Sequence, residues 1–226
     1  CGGTLYWQLN DIWPVASWAS IDSYGRYKAL QYYSKRFYEP VLISCREVGE
    51  NDVRPFINTE RNIELVTTAE LTVTNDTLNE VTGVVNWELR DNKANVIKSG
   101  EQTLTVPALS YVTLDNMDFD KTDPYTTYIS YSYTVDGKVV SSGTTLFAAH
   151  KRFDFIEPNL RYEVNGDEIT VYADTYAKAV EIDSLDSDFI LSDNYFDMNA
   201  GTKTVKILEG KPENVQEIDV VSETGI

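Results

Sequence analysis

Alternation with a period of two dominates most of the chain. In "GVVNWELRD", Val85, Trp87 and Leu89 point one way and Asn86, Glu88 and Arg90 the other, as successive residues of a strand must. "YISYSYTVDGKVV" repeats the pattern with Ile129, Tyr131, Tyr133 and Val135. Asp136-Gly137 then offers the positive φ that a type I′ hairpin requires. "AELTVTNDT", "NVIKSGEQTLTV" and "SYVTLDNM" add further strands, separated by turn residues. About seven short strands between 41 and 149 predict an immunoglobulin-like sandwich with Trp87 as its core aromatic. Residues 150–226 continue the style at smaller scale. A hairpin is expected at Asn165-Gly166, strands in "AKAVEID", "DFILSD", "TKTVKIL" and "EIDVVSE", and a turn at Asn199–Gly201. "HKRFDFIEP" joins the two β pieces.

The first 40 residues follow a different pattern. "TLYWQL" is short and apolar on both faces, as a buried parallel strand would be. Pro14 and the serines up to "DSYG" mark a long loop. From Arg26 the spacing turns helical: Tyr27, Leu30, Ser34 and Phe37 form a stripe, Tyr33 joins Phe37, and Lys28 and Arg36 sit outside. Pro40 bars continuation. One strand and one helix cannot close a core. The mainly β chain therefore reads as residues 1–40, a single strand-loop-helix unit, then a sandwich over 41–149 and a smaller one over 150–226.

Composition sharpens the division at Pro40. Ten of the 27 aromatic residues, and three of the four tryptophans, lie in the first 40 positions. The net charge is −17, yet residues 1–40 sum to +1. So acidic a surface repels phosphate backbones and anionic bilayers, which argues against nucleic acid and membrane partners. Two cysteines, Cys1 and Cys45, and a single histidine, His150, provide neither a disulfide framework nor a zinc site. The EF-hand calcium spacing is absent, and "DSLDSDF" (Asp183–Phe189) reads as a solvated acidic loop. No metal and no cofactor are expected. Asn75-Asp76-Thr77 spells a glycosylation sequon, which chance explains.

Chemistry concentrates near the start. Trp7 offers an apolar face to the C–H surface of a sugar, and Asn10 and Asp11 just beyond it offer hydrogen bonds to hydroxyls. Spacing alone favours the plainer reading, a core tryptophan and a loop capped by Asn10-Asp11. No pair of carboxylates stands in a setting that suggests an acid/base couple. A single histidine leaves no nucleophilic triad.

The stretch from Gly3 to Ser44 carries W-Q-L-N-D-x-W-P, S-W-x-S-I-D, G-R-x-K-A-L and Y-Y-x-K-R-F-x-x-P in order. It resembles the end of the catalytic barrel of glycoside hydrolase family 2, in its β-mannosidase branch. "LSDNYFDMNAGTKTVKI" (Leu191–Ile207) resembles the C-terminal immunoglobulin-like domain of the same enzymes. The resemblance implies the last strand-helix unit of a (β/α)8 barrel followed by two sandwiches. It also implies a retaining exo-acting enzyme that removes terminal β-D-mannose from β-mannoside oligosaccharides, with two glutamates and no cofactor. Both glutamates are expected upstream of Cys1, so no catalytic residue is assigned and the 226 residues are expected to be inactive. Trp7 matches the tryptophan that walls the subsite for the terminal sugar. Asn10, Asp11 and Trp13 fall at the pocket rim.

The competing expectation is a carbohydrate- or protein-binding sandwich module, with Tyr125, Tyr128, Tyr195 and Phe196 as contacts. Residues 1–40, with ten aromatics and an open strand edge, invite self-association. They are expected to be disordered, or buried against the first sandwich or a second chain.

Overall fold

A computed structural model describes residues 3–48, 65–184, 188–210 and 218–221. Cys1 and Gly2, and residues 185–187 of the expected acidic loop, lie outside them. The chain divides into two compact units, Tyr38–Ile156 and the combination of Cys1–Phe37 with Glu157–Ile226.

The unit Tyr38–Ile156 contains β1 (Val41–Val48), β2 (Thr68–Asn75), β3 (Val81–Asp91), β4 (Val96–Val106), β5 (Ser110–Thr113), β6 (Met117–Asp118), β7 (Thr127–Val135) and β8 (Lys138–Leu146). One sheet runs β1-β2-β5, with β6 also on β2, and the other runs β4-β3-β7-β8. All pairings are antiparallel. The alternation read from the sequence sets the inner faces. Ile43, Leu71, Val73, Val85, Val106 and Tyr133 close one core cluster, and Ala69, Leu89, Phe119, Ile129 and Phe147 the next. Trp87 packs against both clusters, 5.7 Å from the Phe119 ring. Asp136 and Gly137 have φ of 50° and 75° between paired Val135 and Lys138, the expected type I′ turn.

Asn75 is fully buried. Its amide donates to the carbonyls of Asn79, Val106 and Pro107, and its oxygen accepts from the backbone and hydroxyl of Thr77. The sequon is a turn lock whose amide nitrogen faces inward.

The second unit carries α1 (Ala29–Phe37) and then β9 (Arg161–Asn165), β10 (Glu168–Ala173), β11 (Ala177–Ser184), β12 (Ile190–Leu191), β13 (Phe196–Met198), β14 (Gly201–Glu209) and β15 (Ile218–Val221). Its sheets run β12-β14-β10-β9 and β13-β11-β15. The first hairpin turns one residue later than expected. Asn165 pairs with Glu168, so Gly166 and Asp167 are the central residues, and Gly166 at φ 63° suits the first position of a type II′ turn.

Two expectations for the first 40 residues are corrected. Thr4–Leu9 forms no ladder among the described residues. The pairing there consists of isolated bridges, Asn10 with Ile21 and Ile21 with Tyr27. A strand needs at least one neighbour to pair with, and no described strand lies alongside it. The helix begins at Ala29 rather than Arg26. Before that point, the Arg26 carbonyl accepts from Asp22 N, which spends the acceptor a helix starting there would offer to Leu30 N, and the Lys28 N–H donates to Ser20 O.

The buried side of α1 coincides with the expected stripe only at Ser34. Tyr32 and Ser34 are buried, whereas Tyr27, Tyr33 and Phe37 are exposed. Tyr32 enters the core formed by Ile169, Val171, Val180, Ile182, Leu191, Phe196 and Val205, and its hydroxyl accepts from Leu191 N at 3.3 Å. The helix is thus ordered, and its cover is the second sandwich.

Candidate functional site

The loop from Asn10 to Lys28 is closed by its own polar groups. Ile21 N donates to Leu9 O at 2.9 Å and Asp11 N to Ile21 O at 3.0 Å. Asp22 Oδ1 accepts from the backbones of Tyr24 and Arg26, both at 2.9 Å, while Arg26 Nε reaches Asp22 Oδ2 at 2.6 Å. Gly25, at φ 87°, permits this tight reversal.

Asp11 is only 6% exposed. Its Oδ1 accepts from Ser17 Oγ at 2.7 Å and its Oδ2 from Lys28 Nζ at 2.8 Å. The hydrogen bonds from Lys28 and then Ser17 hold its carboxyl below the usual 3.8. Both oxygens are therefore engaged in clamping the loop. Lys28, expected to point outward, is the cation of that clamp, and Ser17 is its third member. Sequence reasoning missed both because an Asp and a Lys seventeen positions apart carry no local signal.

Ser20 fastens the segment to the helix. Its Oγ lies 2.8 Å from Leu9 O, 2.9 Å from the Gln31 side-chain oxygen and 3.1 Å from Tyr6 OH. One hydroxyl proton cannot serve two acceptors. With Leu9 O taking it, Gln31 satisfies the geometry by presenting its NH2 instead.

The aromatic residues are left outside. Trp7 is 74% exposed, and Trp13, Trp18 and Tyr24 are exposed as well. Asn10 is exposed and donates to Asp11 O at 3.1 Å. The four sequence candidates thus separate: Asp11 turns inward, while Trp7, Asn10 and Trp13 stay at the surface. The surface contacts expected for a binding module fare differently. Tyr128 and Phe196 are core residues, and Tyr195 is half-buried beside Tyr32.

A cleft of about 530 Å³ opens between this loop and β11, lined by Asp22, Arg26, Tyr27, Glu181, Asp183 and Asp188 among others. Tyr195 donates to Glu181 there. Burial, and next that hydrogen bond, push the phenol well above its usual range. Among the described residues, no group of three or more His, Cys, Asp or Glu side chains is placed to hold a metal ion, and no helix is long and apolar enough to cross a membrane.

Residues 67–152 match the family described as Mannosidase Ig/CBM-like domain, and residues 155–222 the one described as Ig-fold domain. The chain belongs to the β-mannosidase branch of glycoside hydrolase family 2, in its C-terminal part. Beta-mannosidase A of Aspergillus terreus is 27% identical over 186 residues, covering 74% of this chain and 18% of that protein. Beta-mannosidase of Mus musculus is 55% identical over 40 residues, 18% of this chain and 5% of that protein. The crystal structure of the β-D-mannosidase from Dictyoglomus thermophilum superposes with a TM-score of 0.75 at 18% identity, covering 96% of this chain and 26% of that one. At that identity the superposition shows the fold alone: immunoglobulin-like sandwiches with the helical unit before them. The chain spans less than a third of any of these three relatives.

Proposed function

We propose that these residues are the C-terminal part of a retaining exo-β-mannosidase that releases terminal β-D-mannose from β-mannoside oligosaccharides. In that enzyme a nucleophilic glutamate forms a glycosyl-enzyme and a second glutamate serves as acid and then base. Neither is assigned within this chain, which spans 18% of the Aspergillus terreus relative. The role proposed for residues 3–37 is one wall of the sugar pocket. The observation that carries it is the placement of Trp7, exposed for 74% of its surface while the polar groups around it are spent on holding its segment still. An indole face held in place is what a sugar's C–H surface stacks upon. Trp13 and Asn10, exposed on the same segment, are proposed rim contacts, and Asp11 the clamp that shapes the rim.

The second sandwich, in the same compact unit as residues 3–37, braces this wall. Taken alone, the exposed aromatics of residues 4–24 make the 226-residue chain prone to self-association. Incubating the purified chain with an aryl β-mannoside tests the assignment. No turnover is expected, and hydrolysis that tracks the purified protein would show that the reacting carboxylates lie within these 226 residues.

A further inference from the structure

Arg36 stands in the last turn of α1, and its guanidinium meets three acceptors on one turn of the second sandwich. Nη1 lies 2.6 Å from Asp193 Oδ1 and 3.0 Å from Asn194 O, and Nη2 lies 2.8 Å from Tyr195 O. That turn is held by its own contacts. Asn194, 6% exposed, bonds the backbone N–H and carbonyl of Ile182 in β11 and the N–H of Tyr195. Asp193 also accepts from Asn194 N at 3.0 Å and from Lys203 Nζ at 2.7 Å. Tyr195 sits at φ 51°, in the left-handed region that side chains larger than glycine rarely adopt. In this conformation two successive carbonyls reach one guanidinium. Lys35 adds a bond to Ser192 O at 2.7 Å.

The other end of the connection reaches both chain neighbours of Trp7. On the helix, Gln31 meets Ser20. Ser20 Oγ meets Tyr6 OH, and Ser20 N approaches Gln8 O at 3.1 Å. The Tyr6 ring packs edge-on against Phe37 at 6.5 Å. Fixing α1 therefore fixes the backbone on either side of Trp7.

We propose that Asp193, Asn194 and Tyr195 form a socket for Arg36 that positions the Trp7 segment, making them positioning residues for sugar binding supplied by the C-terminal sandwich. What the held pose serves rests on the function proposed above; the socket itself does not. A planar fork is what three such acceptors require, and lysine cannot reproduce it.

Two readouts separate the claims. In the 226-residue chain, Asp193→Ala should raise chymotryptic cleavage after Trp7 and Trp18 on the order of tenfold, the size expected for losing a hydrogen bond to a charged group. Arg36→Lys should give an intermediate rise. Val171→Ala, which opens the same core but leaves the acceptors of Arg36 in place, should not raise it. Unchanged cleavage, or equal acceleration in Asp193→Ala and Val171→Ala, overturns the socket. In the complete enzyme, Asp193→Ala should raise KM for an aryl β-mannoside more than it lowers kcat, with partial recovery in Asp193→Glu. A response in cleavage with no change in KM overturns the sugar-binding role. Absence of β-mannosidase activity in the complete enzyme defeats the functional reading, and cleavage then decides the socket independently.

Discussion

Replacing Tyr32 measures how far the helix belongs to the second sandwich. Its ring is 4% exposed and lies within a core of eleven buried residues from β10 to β14. Tyr32→Ala removes an entire aromatic side chain, and cavities of that kind cost about 3–5 kcal/mol. Tyr32→Phe keeps the ring but leaves Leu191 N without its 3.3 Å acceptor. A buried donor left unpaired costs about 1–3 kcal/mol. The two substitutions together divide the contribution into packing and polar parts. Because the chain has two units, unfolding need not be a single transition, and the two must be followed apart. Urea titration with hydrogen exchange on peptides from β10–β11 and from β3–β4 does this. With a urea slope of about 2 kcal/mol per molar, Tyr32→Ala should lower the β10–β11 midpoint by roughly 1.5–2.5 M and Tyr32→Phe by roughly 0.5–1.5 M. The β3–β4 midpoint should stay where it is. A Tyr32→Ala midpoint within about 0.3 M of wild type, roughly 0.6 kcal/mol, would mean that the helix is no part of that core.

Gly100 lies opposite Trp87 in the ladder, and a Cβ there would meet the indole at 2.6 Å. Gly100→Ala should therefore destabilise the first unit by about 1–3 kcal/mol, read as a shift of the β3–β4 transition alone. The Asp11 clamp has a defined pH dependence. Its carboxyl is held below 3.8, so its contribution is fully present above that value and is lost as pH falls through the lower, folded-state value. Near-UV circular dichroism of the tryptophans should change below pH 3.8 in the wild type, and Asp11→Asn should lack that step. A wild-type change centred well above 3.8 would assign the step to another group.

Much of the β architecture was legible because alternation is a local property. Val85, Trp87 and Leu89 declare their face without reference to any other strand, and Asp136-Gly137 declares its turn. The helix was legible in type but not in orientation. Tyr27, Leu30 and Phe37 form as good a stripe as the residues around Tyr32, and only the sandwich contributed by residues 157–226 decides between them. The helix start was hidden for a related reason: Arg26 and Lys28 give their backbone groups to Asp22 and Ser20, a pairing set by loop closure. In the candidate site, Trp7 was visible as a ring beside polar residues. The clamp on Asp11 was not legible because its partners, Ser17 and Lys28, arrive through the fold. Arg36 read as a solvated charge for the same reason, with its acceptors more than 150 positions away.

The account centres on Trp7 as a held sugar platform, and its substitution in the complete enzyme tests that most directly. Trp7→Ala should raise KM for an aryl β-mannoside by roughly ten- to a hundredfold, the range for losing an aromatic contact worth about 1.4–2.8 kcal/mol. In the 226-residue chain the same substitution should leave the thermal transition nearly unchanged, because the ring is in solvent there. Wild-type KM and kcat in that variant would contradict the assignment.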